Sequence, residues 1–317
     1  MNVTFVTYPM AFHIPGGGEI QLLALYNALN AEGLKVNLFN QWKPELEKTD
    51  IVHFFSGISG SYHFCKFIKD LNKKLFISSS LWINEENLNI LPIDEIRNQF
   101  SLADKIITNS LMESKNLAKY LQIDIKKFSH IYNGFPLKFI DNTIDDDLFR
   151  NKYNINCEFI LNVANIEERK NQILLASACK ELNKTLILIG KIRCIKYLNE
   201  IKRINSKVIV LDYIPHSDML ISAYKAAKIF CMPSKLETPG LAALEAAATG
   251  CPIVITKEGS TIEYFGKNAL YINHNSTQSI IDSLDEMDKN PITVPRTLIK
   301  KFLWKNCVKK LIKEYKI

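Results

Sequence analysis

The chain has no run of about 18 uninterrupted apolar residues, so no membrane-spanning helix is expected. Its opening, Met1-Asn2-Val3-Thr4-Phe5, has neither a basic region before the apolar stretch nor a cleavage signal, and reads as a first strand rather than a leader. Cysteines number seven, an odd count, and none sits in a C-x-x-C spacing. That excludes a thiolate metal centre and fits a reduced, cytoplasmic compartment. There is no G-x-S-x-G elbow for a serine hydrolase. A dinucleotide fingerprint also fails: after Gly16 and Gly18, Gln21 stands where the third glycine belongs, and the second strand ends in Asn40-Gln41 without the ribose-binding acid. No His/Asp/Glu cluster has metal spacing. The run Asp145-Asp146-Asp147 follows no strand, unlike an Asp-x-Asp metal motif. Short repeats and low-complexity segments are absent.

The chain is long instead, at 317 residues, and 47% of them are hydrophobic. This suits two domains with substantial cores. The net charge of +7 is local: residues 296–317 carry Arg296 and seven lysines against Glu314, leaving residues 1–295 neutral. Within that tail Leu298, Phe302, Leu311, Ile312 and Tyr315 recur at helical spacing, so a basic amphipathic helix is expected. Two readings stay open for it. One is a packed terminal helix with solvated lysines; the other is peripheral contact with an anionic membrane surface at its inner face. Nothing points to nucleic acid.

Strand-like and helix-like segments alternate through residues 1–135. The expected strands are Val3–Thr7, Lys35–Phe39, Asp50–Phe54, Lys74–Ser78, Lys105–Thr108 and Phe128–Tyr132. The pattern lapses over 136–156, read as a linker, and restarts over 157–296. There the expected strands are Phe159–Val163, Thr185–Ile189, Lys207–Leu211, Lys228–Met232, Pro252–Ile255 and Ala269–Ile272. Such alternation predicts two α/β, doubly wound Rossmann-like domains facing a cleft, with ligands beyond the carboxyl ends of the strands. Residues 297–317 form a C-terminal helix.

The richest stretch is 233–254. Pro233-Ser234 break a buried strand. Gly240 opens a helix of small, helix-favouring residues, and Gly250 and Pro252 close it. The first turn offers the N–H groups of Gly240, Leu241 and Ala242, a natural site for a diphosphate. Glu237 precedes that turn and Glu245 lies inside the helix, able to accept from two neighbouring sugar hydroxyls. A second cation-rich turn, Glu167-Glu168-Arg169-Lys170-Asn171, starts the first helix of the second domain. Cations there oppose the helix dipole unless an anion lies close, which points to a phosphate clamp by Lys170 with Arg169.

At these residues the chain resembles the family 4 retaining glycosyltransferases of GT-B fold. The shared pattern is Pro-Ser…Glu-x-x-Gly-Leu…Glu-Ala…Gly-x-Pro, with Thr238-Pro239 in the variable places. The resemblance implies a metal-independent hexosyltransferase moving a sugar from a nucleotide-diphosphate donor to a glycan or lipid-linked acceptor, in bacterial surface polysaccharide synthesis. No cofactor is implied beyond the donor. Glu237 and Lys170 become the catalytic candidates. Glu245, Arg169, Gly240, Leu241, Ala242, Ile214 at the nucleobase, and Gly17 and Gly18 of the glycine loop become the donor-binding ones. The last helix is implied to cross back to the first domain. Asn133-Gly134 and Gly259-Ser260 with Glu263 match family segments read as architectural.

The chain also departs from that family. Asn165 stands where an arginine usually assists the phosphates. Ser79-Ser80-Leu81-Trp82 lacks the usual first-domain histidine, leaving His13 and His53 as acceptor-side candidates. A first domain of roughly 135 residues is short and suggests a missing strand–helix unit on the acceptor side. These departures motivate two alternatives: a non-catalytic nucleotide-sugar-binding partner protein, and a nucleotide-sugar epimerase on the same fold.

Overall fold

The structure is a computed structural model and describes residues 1–13, 15–57 and 60–317. The chain divides into two compact units, Met1–Gly134 with Phe302–Ile317, and Phe135–Lys301.

The first unit holds β1 (Asn2–Thr7), β2 (Lys35–Leu38), β3 (Ile51–Phe55), β4 (Lys74–Ser78), β5 (Lys105–Thr108) and β6 (Phe128–His130). They form one parallel six-stranded sheet in the order β2-β1-β3-β4-β5-β6. Its inner strands β1, β3, β4 and β5 are largely buried, as a sheet covered on both faces requires, whereas the edge strand β2 is mostly exposed. Val52, Leu75, Ile77 and Ile106 are fully buried in its core.

The second unit repeats the scheme with β7 (Phe159–Val163), β8 (Thr185–Ile189), β9 (Ile209–Leu211), β10 (Ile229–Met232), β11 (Ile253–Thr256) and β12 (Leu270–Ile272). The order is β12-β11-β10-β7-β8-β9, again all parallel. Leu188, Ile229, Val254 and Ile272 are fully buried there. Burial of each such side chain contributes roughly 1.5–3 kcal/mol.

Both sheets start in the middle and grow first to one side, then to the other. The direction reverses between β1 and β3 in the first sheet and between β7 and β10 in the second. Adjacent loops diverge at such a point, opening a crevice at the carboxyl ends of the two strands. Topology alone therefore nominates the loops after β7 and β10.

The expected strands all form, with ends moved by one or two residues. The stretch 136–156, expected as a linker, contains a helix, Asp147–Tyr153, whose Phe149 is fully buried. The Phe149 N–H donates to Ser222 Oγ at 2.9 Å, which places this stretch inside the second unit. The run Asp145-Asp146-Asp147 leads into that helix, where carboxylates suit the dipole. The tail is not one helix. Arg296–Ile299 and Lys300–Phe302 are followed by Leu303 in an extended conformation and then by the helix Trp304–Tyr315. The change of unit falls at Phe302, five residues later than the expected boundary at 297.

Candidate functional site

Glu237 lies in the loop after β10 and Lys170 in the turn after β7, the two strands flanking the reversal point. Lys170 Nζ donates to Glu237 Oε1 at 2.6 Å, and the side chains are only 12% and 8% exposed. Burial pushes the Glu237 carboxyl upward, but Lys170 and then Arg169 more than offset this, and its pKa ends below the ordinary glutamate value. Glu237 is thus held as an anion inside the protein.

The backbone around Glu237 is fixed from several sides. Its N–H donates to Glu258 O at 3.2 Å, and its carbonyl accepts from Ser260 N at 3.1 Å. Gly259 passes so close that a Cβ there would stand 2.1 Å from the Glu237 carbonyl oxygen, with φ at +93°. Only glycine fits both the space and the conformation. Gly259-Ser260, expected to be architectural, thus packs directly against the catalytic candidate. On the Lys170 side, Asn171 takes a left-handed conformation, and its Nδ2 donates to Pro233 O at 3.1 Å and His274 O at 2.7 Å. Those bonds tie the post-β7 turn to the post-β10 loop.

Gly240 caps the helix Leu241–Ala248 with φ at +82°. The N–H groups of Gly240, Leu241 and Ala242 have no acceptor among the described residues. Gly240 itself lies close to the carboxylate: Glu237 Oε2 is 3.6 Å from where a Gly240 Cβ would be. Three unpaired donors, a lysine and an anionic carboxylate therefore share one end of the sheet.

Glu245 is buried within the same helix. Its Oε2 accepts from Tyr224 OH at 3.0 Å, and its Oε1 lies 2.9 Å from His216 Nε2. The His216 pKa is raised by the hydrogen bond to Glu245, against the opposing effect of burial. Burial pushes the Tyr224 hydroxyl well up, so it stays a donor. Ile214 is buried just after β9, two residues before His216.

Arg169 is exposed and pairs with Glu167 at 3.4 Å, and Arg193 pairs with the same carboxylate at 3.1 Å. With its amide turned to match, the Asn165 oxygen accepts from Arg193 Nε and Nη2, both at 3.1 Å. The position lacking the family's arginine thus engages one from the turn after β8. Sequence reasoning missed Arg193, His216, Tyr224 and Asn171, each of which meets the site through a contact distant in sequence.

The remaining candidates belong to the first unit. Gly17 is the first residue of the helix Gly17–Ala31, and Gly16 N–H donates to Glu19 Oε2 at 2.6 Å. Gly18 lines a cavity of about 350 Å³ at the carboxyl ends of β1, β3 and β4, together with Tyr8, Glu19, Ser78, Ser80 and Leu81. His13 is exposed in the loop before that helix and is not part of the lining. His53 is not presented to a ligand. It is fully buried on β3, bonded through Nε2 to Ser78 Oγ at 2.9 Å and through Nδ1 to Tyr315 OH. Burial lowers its pKa to about 3, so it is a neutral core histidine behind the cavity wall. The alternation that set His53 at a strand end could not show that the terminal helix covers it.

Asp145, Asp146 and Asp147 are exposed, with ligand atoms within 4.8 Å of one another, and they open the helix Asp147–Tyr153. Among the described residues no helix is long and apolar enough to cross a membrane.

Residues 145–301 match the model of the family described as glycosyl transferases group 1. A D-inositol 3-phosphate glycosyltransferase of Corynebacterium urealyticum is 32% identical over 132 residues, 39% of this chain and 31% of that protein. O-antigen chain mannosyltransferase B of Escherichia coli is 34% identical over 113 residues, 34% of this chain and 29% of that protein. The chain thus spans about a third of the length of these curated relatives. Among solved structures, Anabaena HepE in complex with UDP has a TM-score of 0.80 at 15% identity, covering 100% of both chains. The sucrose-phosphate synthase of Thermosynechococcus elongatus also has a TM-score of 0.80, at 18% identity, covering 99% of this chain and 98% of that one. At these identities the structural likeness is one of fold: two parallel six-stranded sheets with flanking helices.

Proposed function

We propose that this chain is a retaining, metal-independent glycosyltransferase using a nucleotide-diphosphate sugar, a reading supported by the match of residues 145–301 to the group 1 glycosyltransferase family and by the shared fold. The observation that carries this reading is the Lys170–Glu237 pair at 2.6 Å, set beside the unpaired N–H groups of residues 240–242 at the reversal point of the second sheet.

Lys170 and the helix-start amides balance the charge that builds on the departing diphosphate. Arg169 and Arg193 lie around Glu167 and supply further cation where Asn165 replaces arginine. Glu237 accepts from hydroxyls of the donor sugar and stabilises positive charge at the anomeric carbon. Glu245 holds the ribose hydroxyls, and backbone near Ile214 meets the nucleobase. The acceptor hydroxyl attacks the face that the diphosphate leaves, giving retention. These fixed groups take the place of a metal ion.

The acceptor is a glycan or a lipid-linked saccharide, in bacterial surface polysaccharide synthesis. The cavity of the first unit is the candidate acceptor side; its lining mixes apolar side chains such as Leu22, Phe55 and Ile96 with Tyr8, Glu19, Ser78 and Ser80. Contact with an anionic membrane surface belongs to this proposal in a restricted form. Leu311 and Tyr315 of the terminal helix are buried, while Lys305, Lys309, Lys310, Lys313 and Lys316 are exposed. Attraction then rests on charge alone, without insertion, and falls with added salt.

The test is a thermal-shift panel of UDP, GDP and ADP, followed by incubation of the matching donor with acceptor. A ligand at 100 times its dissociation constant adds about 2.7 kcal/mol of stability. One nucleotide should respond, nucleotide should be released only with acceptor, and the product should keep the donor's anomeric configuration by NMR. Binding without release would favour the non-catalytic reading. A changed sugar nucleotide formed without acceptor would favour an epimerase.

A further inference from the structure

Glu245 is a buried carboxylate whose two oxygens are each held by one protein donor. An ionised carboxylate has about four acceptor positions. Tyr224 OH fills one on Oε2, and His216 fills one on Oε1. Each oxygen then keeps one further acceptor position, and the side chain is 7% exposed. Two acceptor positions on one carboxylate are the number that the two adjacent hydroxyls of a cis-diol require.

The two holders differ. Tyr224 is fully buried on the helix Asp218–Ala226 and is part of the core. His216 is 38% exposed, in the loop between β9 and that helix. Its ring meets the edge of Phe139 at 5.5 Å between centroids, at an angle of 84°. Phe139 is itself buried, so the imidazole leans on a fixed surface while its Nε2 reaches Glu245.

We propose that His216 is a positioning residue for the ribose: it fixes the rotation of the Glu245 carboxylate so that the two free acceptor positions face the 2′- and 3′-hydroxyls. Without it Oε1 is free to turn, and one hydroxyl loses its partner. His216 acts through Glu245, so its effect depends on the ligand having both hydroxyls. This rests on the reading of Glu245 as the ribose ligand.

The experiment compares wild-type protein with His216→Phe, His216→Gln and Glu245→Ala. The probes are UDP, GDP and ADP and their 2′-deoxy forms, titrated by calorimetry. Phenylalanine keeps the packing on Phe139 without the hydrogen bond; glutamine restores a donor near the position of Nε2. We expect His216→Phe to weaken the best-binding ribonucleotide by about tenfold, and its 2′-deoxy form by about threefold or less. His216→Gln should recover most of that loss. The inference is overturned if His216→Phe binds the ribonucleotide as wild type does while Glu245→Ala does not. It is also overturned if both sugar forms weaken equally, or if glutamine is no better than phenylalanine. If wild type binds none of the three nucleotides, or Glu245→Ala changes nothing, the donor reading itself falls and takes this inference with it.

Discussion

Lys170 and Glu237 are 67 residues apart in sequence and 2.6 Å apart in space. Each lies one loop beyond the strands that flank the point where the second sheet reverses its growth. Their proximity follows from strand order, and Lys170 helps to hold Glu237 as an anion.

Lys170→Met removes the main cation facing Glu237 and leaves a buried carboxylate without its partner. Breaking such a pair costs about 3–5 kcal/mol, so the thermal midpoint should fall by several degrees. The Glu237 carboxyl should also rise above its present depressed position. A midpoint within a degree of wild type, measured at neutral pH, would remove this ion pair from the account of stability.

Acidification should weaken the same pair. Glu237 has a folded pKa below its unfolded value, so its contribution is present above the unfolded pKa and disappears as pH falls through the folded one. A Glu237→Gln variant should therefore show a smaller loss of stability below about pH 4.5 than wild type. It should still bind nucleotide diphosphate while losing turnover. Turnover retained by this variant would strike Glu237 from the catalytic candidates.

Glu245→Ala should weaken nucleoside diphosphate binding by about tenfold or more, because a hydrogen bond to a charged group contributes roughly 1.5–3 kcal/mol. Calorimetric titration reads this directly, and unchanged affinity would rule out a ribose-binding role.

His53 makes acid a second liability. It is neutral in the fold, with a pKa of about 3, whereas in the unfolded chain it titrates at the ordinary value of 6.5. Between those two values the unfolded state binds a proton that the folded state does not, so stability falls as pH drops from 6.5 towards 3. The slope is about 1.4 kcal/mol per pH unit for this one group. His53→Gln should flatten it, as followed by denaturant unfolding at pH 4 to 7; an unchanged slope would refute the assignment.

Gly259→Ala places a methyl group 2.1 Å from the Glu237 carbonyl oxygen in a conformation that only glycine adopts freely. The loop must shift, and Glu237 with it. We expect turnover to fall by more than tenfold with a measurable loss of stability, from a residue that carries no chemistry. Wild-type kcat in this variant would show that Glu237 tolerates displacement.

Much of this site was legible in the residue order. The small-residue helix at 241–248, its glycine start and the two glutamates stand in one short run. The cationic turn at 167–171 betrayed itself by opposing the helix dipole. Partners reached across the sheet were not legible. His216 and Tyr224 look like ordinary loop and helix residues until the strand order β10-β7-β8-β9 brings their segment against Glu245. His53 misled because a strand end shows its position along the chain but not what covers it; Tyr315, 262 residues away, does. The helix Asp147–Tyr153 was hidden because three consecutive aspartates suit a loop and a helix start equally well.

By itself the sequence determined the alternating elements, the all-parallel character of both sheets and the run that holds Glu237 and Glu245. Those features depend on local periodicity and on short-range turn chemistry. Only the tertiary structure decided which cation neutralises Glu237, which donors hold Glu245, and that His53 is sealed in a core. Burial and strand order set those outcomes, and both arise from contacts between segments far apart along the chain.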